Sequence, residues 1–320
     1  MNNSTLQAEI YGLQEQLIQI RKKGGRDRPD DPGADPRLVE SEILSKLGVA
    51  YYQAEQWQDA REILIESLNL ARDLGQQWHE AVAQYYLGFT QQVLGEQLSA
   101  VKAFFEAYFL FRSCKNNEFS AQMWQQIDRA NERYLNENNL EKVEEIFDLQ
   151  LRVAEAWQDG GLKAKVLIKI AQTKYNQKLY QEAISYQVQV LEIDETLNDD
   201  SLKSLALAWL GCSYRELEQF EKALEYFERR LTLVQELGDR PAQKETLGWV
   251  IHSCQRLESR DKMLHYYQIQ LQLAQEVQDA IYEYNCFYDL SRLQFNTQQY
   301  QEALSGFKAA LEIAQALDEE

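Results

Sequence analysis

Cysteine and histidine are the residues of this sequence best suited to catalysis or metal binding, and their spacing favours neither activity. No two of the cysteines Cys114, Cys212, Cys254 and Cys286 form a Cys-x-x-Cys pair, which predicts reduced thiols on helices in a reducing compartment. The three histidines show no His-Glu-x-x-His or similar ligand spacing. No glycine-rich phosphate loop or nucleophile elbow occurs either. We therefore predict no metal site, no cofactor and no catalytic residues.

The charge balance disfavours two classes of partner. The 320 residues include 33 Lys and Arg against 51 Asp and Glu, for a formal charge of −18. Nucleic acids and anionic membranes attract basic surfaces, so we predict neither as a partner. The chain starts without a signal-peptide pattern and contains no apolar run long enough to span a bilayer. These features predict a soluble, cytoplasmic protein with no integral membrane segment.

Helix breakers are concentrated in one short segment. The chain has 14 glycines and 4 prolines, and Pro29, Pro32 and Pro36 lie close together near its start. The remainder has almost no breakers, which predicts an all-α protein.

A repeat of about forty residues runs through most of the chain. One leucine recurs at this spacing, as Leu151, Leu191, Leu231, Leu271 and Leu311, and an aspartate keeps the same step between residues 159 and 279. Upstream of Val143 the register slips by three residues, which predicts a longer loop around "CKNNEFSAQ", residues 114–122. Each unit holds two amphipathic stretches, predicted as helices over 202–217 and 220–237 in one of them.

Small residues recur where the paired helices should cross closely. In the first helices they are Gly48, Gly88, Ala171, Gly211 and Ser291, and in the second helices they are Ala60, Ala100, Ala183, Ala223 and Ala303. A large side chain at such a crossing would cost about 1–3 kcal/mol by overpacking. Because one helix pair cannot bury its apolar face alone, the pairs must stack on their neighbours.

These residues resemble the tetratricopeptide repeat signature. The match is "LG-x-x-Y…F-x-x-A-x-x-x-F" at Leu210, Gly211, Tyr214, Phe220, Ala223 and Phe227. The forty-residue step is similar to the longer variant in kinesin light chains and in the signalling modulator LGN. The resemblance implies a right-handed α-solenoid superhelix of about seven helix pairs, to which the sequence of the first residues adds a tethered N-terminal helix. The repeats are predicted at residues 41–79, 80–119, 124–163, 164–203, 204–243, 244–283 and 284–320.

In that family the first helix of each pair lines a concave groove, which implies two binding sets here. In the C-terminal repeats the groove-facing residues include Arg215, His252, Gln255, Arg256, Tyr288, Arg292 and Asn296. Arginine forks bind carboxylates bidentately, so this set would suit an acidic segment of a partner protein or peptide. The alternative is that internal glutamates such as Glu216 or Glu245 neutralise these arginines.

The second set lies in the N-terminal repeats. Val82, Tyr85, Phe89 and Val93 would form an apolar patch in the groove, which usually marks a binding site. The alternative is an inter-helix core position, with the register shifted by one residue. The same register places Glu42, Ser45, Val49, Tyr52 and Gln53 of the first repeat in the groove.

The first 36 residues stand apart from the repeats. A heptad-like seam of Leu6, Ile10, Leu13, Leu17 and Ile20 predicts a helix over residues 1–23. The segment 24–36, "GGRDRPDDPGADP", predicts a flexible linker to a solenoid over residues 37–320. The helix could plug its own groove, self-associate, dock on a partner, or simply cap the solenoid. We favour a regulatory or docking role, because a helix on a long linker makes a poor cap.

Taken together, the sequence predicts a non-enzymatic scaffold, adaptor or assembly factor that binds a partner segment in its groove. A peptide-regulated sensor is the alternative, and an enzyme is less favoured because nothing interrupts the repeats.

Overall fold

The computed structural model of the protein describes residues 3–23 and 35–318, and the predicted linker residues 24–34 lie outside this part of the chain. The described residues form fifteen α-helices. The first eight are α1 Asn3–Lys23, α2 Pro36–Gln53, α3 Trp57–Asp73, α4 Gln77–Val93, α5 Gln97–Ser113, α6 Asn117–Asn136, α7 Leu140–Ala156 and α8 Gly160–Asn176. The others are α9 Tyr180–Leu197, α10 Asp200–Glu216, α11 Phe220–Glu236, α12 Arg240–Arg256, α13 Arg260–Val277, α14 Ala280–Asn296 and α15 Tyr300–Asp318. The all-α prediction is confirmed.

The chain divides into two compact units, which we call the N-terminal unit (Met1–Val153) and the C-terminal unit (Ala154–Glu320). Within each unit, helices that follow one another in sequence pack side by side, as α4 does with α5 and α8 with α9. None of the helices in the described ranges is long and apolar enough to cross a membrane.

Tight turns with a left-handed residue join the helices at regular intervals. From Glu55 to Lys115 and again from Asn138 to Gln298, a residue with φ between 50° and 83° recurs in nearly every turn. In a typical turn the amide of Glu218 donates to the carbonyl of Arg215 at 3.0 Å, and that of Gln219 donates to Tyr214 at 2.9 Å. These paired bonds satisfy the last carbonyls of the helix and end it sharply.

The three-residue slip in the repeat lengthens a helix, and the prediction of a longer loop there is wrong. Helix α6 has 20 residues where the preceding helices α4 and α5 have 17, while the turn before α6 spans only residues 114–116. Within a helix, each added residue gains a backbone hydrogen bond. In a loop its amide and carbonyl would need other partners, so the helix absorbs the insertion.

Close crossing at the small residues is confirmed by the space around the glycines. A Cβ added to Gly211 would lie 2.3 Å from a ring carbon of Phe227, and one on Gly88 would lie 2.4 Å from Phe104. The alanines predicted at the opposite side of the crossings are buried, with Ala60 and Ala223 both 0% exposed. Large rings on the second helix therefore fill the space that the glycines leave open.

Helix α1 packs on α2 of its own chain through the predicted seam. Leu6, Ile10, Leu13 and Leu17 are buried and Ile20 is partly buried. The seam lies against core residues of α2 and α3 that include Ile43, Leu44, Leu47 and Leu64.

Polar contacts also hold α1, at its middle and near its C-terminal end. Gln14 Nε2 donates to Tyr51 Oη at 2.5 Å, and Arg21 donates to Glu40 at 2.8 Å and also to Glu66 of α3. This is the arrangement of a cap, one of the four alternatives that the sequence left open.

Candidate partner-binding surfaces

A cavity of about 590 Å³ opens in the N-terminal unit between α1, α2 and α4, with single side chains from α5 and α6 completing its wall. Four of the five residues predicted to face the groove in the first repeat line it, namely Glu42, Ser45, Val49 and Gln53. They share one face of α2 because they are spaced by three or four residues along the helix. The fifth, Tyr52, packs against Tyr86 with ring centroids 5.1 Å apart.

Aromatic rings form one side of this cavity. Tyr85 of α4 lies 6.0 Å from Phe111 and 5.5 Å from Phe119, and these two phenylalanines stack at 5.0 Å. Trp78 meets Phe111 edge to face at 5.7 Å and is 47% exposed. Edge-to-face pairs of this kind stabilise one another.

The four residues of the predicted apolar patch occupy three different environments. Val82 and Tyr85 line the cavity. Phe89 lies behind them and packs against Tyr85 at 5.1 Å and Phe104 at 5.0 Å. Val93 is 55% exposed at the end of α4. The cavity thus includes half of the predicted patch, and Phe89 supports it from the core side.

The sequence reasoning missed Trp78, Phe111, Phe119 and Glu9, which all line the cavity. Trp78 could have been found, because it precedes Val82 by four residues and therefore lies on the same face of α4. The two phenylalanines flank the turn between α5 and α6, and no helical periodicity connects them to α4.

Two carboxylates and one lysine carry the formal charges of the cavity. Glu42 accepts a hydrogen bond from Lys46 at 2.7 Å, and this contact keeps the pKa of Glu42 below its usual value. Burial raises the pKa values of Tyr85 and Tyr86, so both phenols stay neutral at physiological pH. Glu9 of α1 and His79 of α4 also line the wall.

In the C-terminal unit, Arg215, His252 and Arg256 lie close enough to interact electrostatically. Burial first, and then the charges of Arg215 and Arg256, lower the pKa of His252. Arg215 donates to Glu216 at 3.2 Å, so an internal glutamate partly neutralises this arginine, as the alternative proposed. The guanidinium of Arg256 lies 4.7 Å from the centroid of the Phe220 ring.

The remaining predicted residues of this set are exposed on α12 and α14. Gln255 and Asn296 are exposed, and the Tyr288 ring is 45% exposed, with its centroid 5.8 Å from that of Phe307. Arg292 contacts Asp289 of its own helix at 3.5 Å. An ion pair this exposed contributes little stability, so Arg292 can exchange Asp289 for another carboxylate.

Glu245 neutralises an arginine that the sequence analysis did not single out. Arg230 of α11 is 6% exposed, donates to Glu245 at 3.0 Å and Thr246 at 2.8 Å, and lies 4.9 Å from the Trp249 ring centroid. One signal could have found it. At the same position of the other repeats stand Gln150, Val190, Gln270 and Ala310, so Arg230 is the charged exception.

The buried thiols are poorly placed for chemistry. Cys212, Cys254 and Cys286 are free and buried, while Cys114 is free and exposed. Burial raises the thiol pKa to about 11 for Cys212 and Cys254 and to about 12 for Cys286, so these groups stay protonated. Across residues 3–23 and 35–318, no group of three or more His, Cys, Asp or Glu side chains is arranged to hold a metal ion.

Two family models match segments of the chain, and both describe the tetratricopeptide repeat. They cover residues 42–74 and 162–236. No curated protein sequence matches the chain.

Among solved structures, the chain is similar to BtubC (BKLC) from P. vanneervenii, with a TM-score of 0.51 and 16% identity over 70% of this chain and 92% of that one. This likeness shows the fold. Weaker matches include aspartyl phosphate phosphatase F from Bacillus subtilis, with a TM-score of 0.44 and 14% identity over 98% of this chain and 95% of that one. The quorum sensor NprR from B. thuringiensis matches with a TM-score of 0.40 and 14% identity over 97% and 84% of the two chains.

Proposed function

We propose, from the premise that the chain is a tetratricopeptide repeat protein, that it is a non-enzymatic scaffold or adaptor for a peptide segment of a partner protein. Its work as an assembly factor would follow if the bound segment belongs to an assembly intermediate. The observation that carries the proposal is the cavity of about 590 Å³ in the N-terminal unit. A concave, mostly apolar site with a few polar groups is the usual form of a binding pocket.

The residues around the cavity support a peptide rather than a reaction. Tyr85 and Val82 offer apolar surface, and Ser45 and Gln53 offer hydroxyl and amide groups that can pair with a peptide backbone. The titratable groups whose pKa is shifted here are Tyr85 and Tyr86, raised by burial, and Glu42, lowered by Lys46. None of these shifts moves a group towards neutral pH, where general acid or base catalysis works best.

Selection from a random dodecapeptide display library tests the proposal. The wild-type protein should enrich a family of related peptides, and Tyr85→Ala should lose that enrichment. Val49→Lys, which fills the cavity without removing a ring, should lose it as well. Tyr11→Ala is the matched control, because Tyr11 is 63% exposed on α1 and away from the cavity. Equal enrichment by Tyr85→Ala, Val49→Lys and the wild type would reject the cavity as the binding site.

The surface around Arg215, Arg256 and Arg292 is proposed as a second contact, for an acidic segment. Its support is the exposure of Arg256 and Arg292 and the weak internal pairing of Arg292. The triple charge reversal to Glu should abolish binding of a labelled oligoglutamate peptide. Reversal of Lys222, Arg229 and Arg260 in the same unit, which are exposed on the second helices, is the control. Similar loss in both triple variants would assign the binding to net charge alone.

A peptide-regulated sensor is the second candidate function, favoured by one observation. Glu9 of α1 lines the cavity, so a bound peptide would contact the N-terminal helix directly. A sensor should therefore change the hydrogen exchange along the whole of α1 when a selected peptide binds, whereas a passive scaffold should change only the residues that line the cavity.

A further inference from the structure

The cavity of the N-terminal unit carries more negative than positive charge. Glu9 and Glu42 line it, and the lysine among the lining residues, Lys46, already pairs with Glu42 at 2.7 Å. In the parts of the chain that the structure describes, Glu9 makes no ion pair. One carboxylate therefore faces the cavity without a cation to balance it.

Aromatic side chains line the same cavity. Trp78, Tyr85 and Tyr86 of α4 contribute rings that are half-buried or exposed. The face of an aromatic ring carries partial negative charge and attracts ammonium and guanidinium groups within about 6 Å of its centroid. A ring face beside a carboxylate is a favourable site for a cation whose aliphatic stem needs apolar surface.

The C-terminal unit contains this same combination with its cation in place. The Arg230 guanidinium lies 4.9 Å from the Trp249 ring centroid and donates to Glu245 at 3.0 Å. Arg230 thus combines a ring with a carboxylate inside one unit, and the N-terminal cavity offers rings and a carboxylate to a cation from outside.

We infer that the cavity binds a basic side chain, arginine or lysine, of the bound peptide. Glu9 of the N-terminal helix and the rings of Trp78 and Tyr85 are its recognition groups. This inference rests on the proposed peptide-binding function and adds the chemical class of the ligand. The net charge of −18 favours the approach of a basic segment. It also gives α1 a role besides covering α2, because the helix supplies the unpaired carboxylate.

Peptides selected on the wild-type protein provide the test. They should share an arginine or lysine beside an apolar residue, and replacing that basic residue by norleucine should weaken binding about tenfold. Glu9→Gln should weaken binding of the basic peptide about fivefold and leave the norleucine peptide unaffected. Lys46→Met should tighten binding of the basic peptide, because it removes the competing cation.

Glu15→Gln is the matched control for Glu9→Gln. Both residues are exposed on α1, and Glu15 interacts with Tyr11 rather than with the cavity. Its affinity for the basic peptide should equal that of the wild type. Circular dichroism of each variant checks that the fold is retained.

The outcomes separate this inference from the proposed function. If Tyr85→Ala removes binding while the selected peptides are purely apolar, or while Glu9→Gln binds as the wild type does, the cavity is a peptide site and the cation inference is wrong. If Tyr85→Ala and Val49→Lys change nothing, the proposed function fails first. A dimer in light scattering that Glu9→Gln dissociates would assign the cavity to a second copy of the chain and would also overturn the inference.

Discussion

Two glycines of the C-terminal unit allow a matched test of the close helix crossing. Gly211 lies in α10 and Gly248 in α12, both within helices. A Cβ on Gly211 would meet three ring atoms of Phe227 at 2.3, 2.5 and 2.8 Å, whereas a Cβ on Gly248 would have nothing within 4 Å. Alanine substitution therefore makes the same chemical change in a crowded site and in an open one.

The two substitutions share one energy term and differ in another. Alanine is favoured over glycine in a helix interior by about 1 kcal/mol, which should stabilise both variants. Overpacking costs about 1–3 kcal/mol and applies only at Gly211, because Phe227 is fully buried and has no free space to enter. We expect Gly248→Ala to be more stable than the wild type by about 0.5–1 kcal/mol. Gly211→Ala should be less stable than Gly248→Ala by about 1–3 kcal/mol.

Urea unfolding followed by circular dichroism at 222 nm measures this difference, provided that the m-values of the variants agree. The double variant Gly211→Ala/Phe227→Leu should recover part of the loss, since leucine is smaller than the ring that the new methyl group meets. If Gly211→Ala is as stable as Gly248→Ala, the two helices do not need a glycine at their crossing and the reasoning is refuted.

Three further predictions concern single side chains. The pKa of His252 is lowered in the folded protein, so as the pH falls the unfolded chain binds a proton at this histidine before the folded protein does. The stability that neutral His252 contributes is therefore full above a pH of about 6.5 and is lost as the pH falls through the folded pKa. Unfolding midpoints between pH 7.5 and 5.5 should accordingly fall more steeply for the wild type than for His252→Gln, and equal slopes would contradict this. Arg230→Met should cost about 1–3 kcal/mol, because it leaves Thr246 and Glu245 without their buried donor, while the exposed Arg229→Met should stay within about 0.5 kcal/mol; similar urea midpoints for the two would be the contrary result. Leu13→Ala should loosen α1 by about 2–4 kcal/mol, seen as faster hydrogen exchange confined to α1, and unchanged exchange would show that the seam does not hold the helix.

Local pattern determined the helices and their periodicity. The scarcity of glycine and proline, the forty-residue ladder and the small residues at the crossings each depend on neighbours within one helix or one helix pair. Gly211 illustrates the reason: its close partner Phe227 lies only sixteen residues away, within the same repeat. The same spacing recurs at Gly48 with Leu64 and at Gly88 with Phe104, so the sequence displays this local contact repeatedly.

The three-residue shift in the forty-residue repeat shows the limit of what a local sequence pattern can predict. The sequence located three extra residues near 114–122, but the prediction that they lengthen a loop was wrong. In the structure α6 extends to 20 residues, because helical hydrogen bonding accommodates them without exposing unpaired backbone groups.

The tertiary structure alone decided which side chains meet at the candidate sites. Glu9 reaches the cavity because α1 packs on α2. Phe111 and Phe119 reach it from α5 and α6, and the periodicity of α4 does not predict that they lie beside its residues. Glu245 pairs with Arg230 rather than with the arginines predicted to face the groove. Periodicity says which face of a helix a residue occupies, whereas the neighbour on that face depends on how helices distant in sequence pack together. That packing is set by side-chain volume and burial across the whole unit, and no short stretch of sequence contains it.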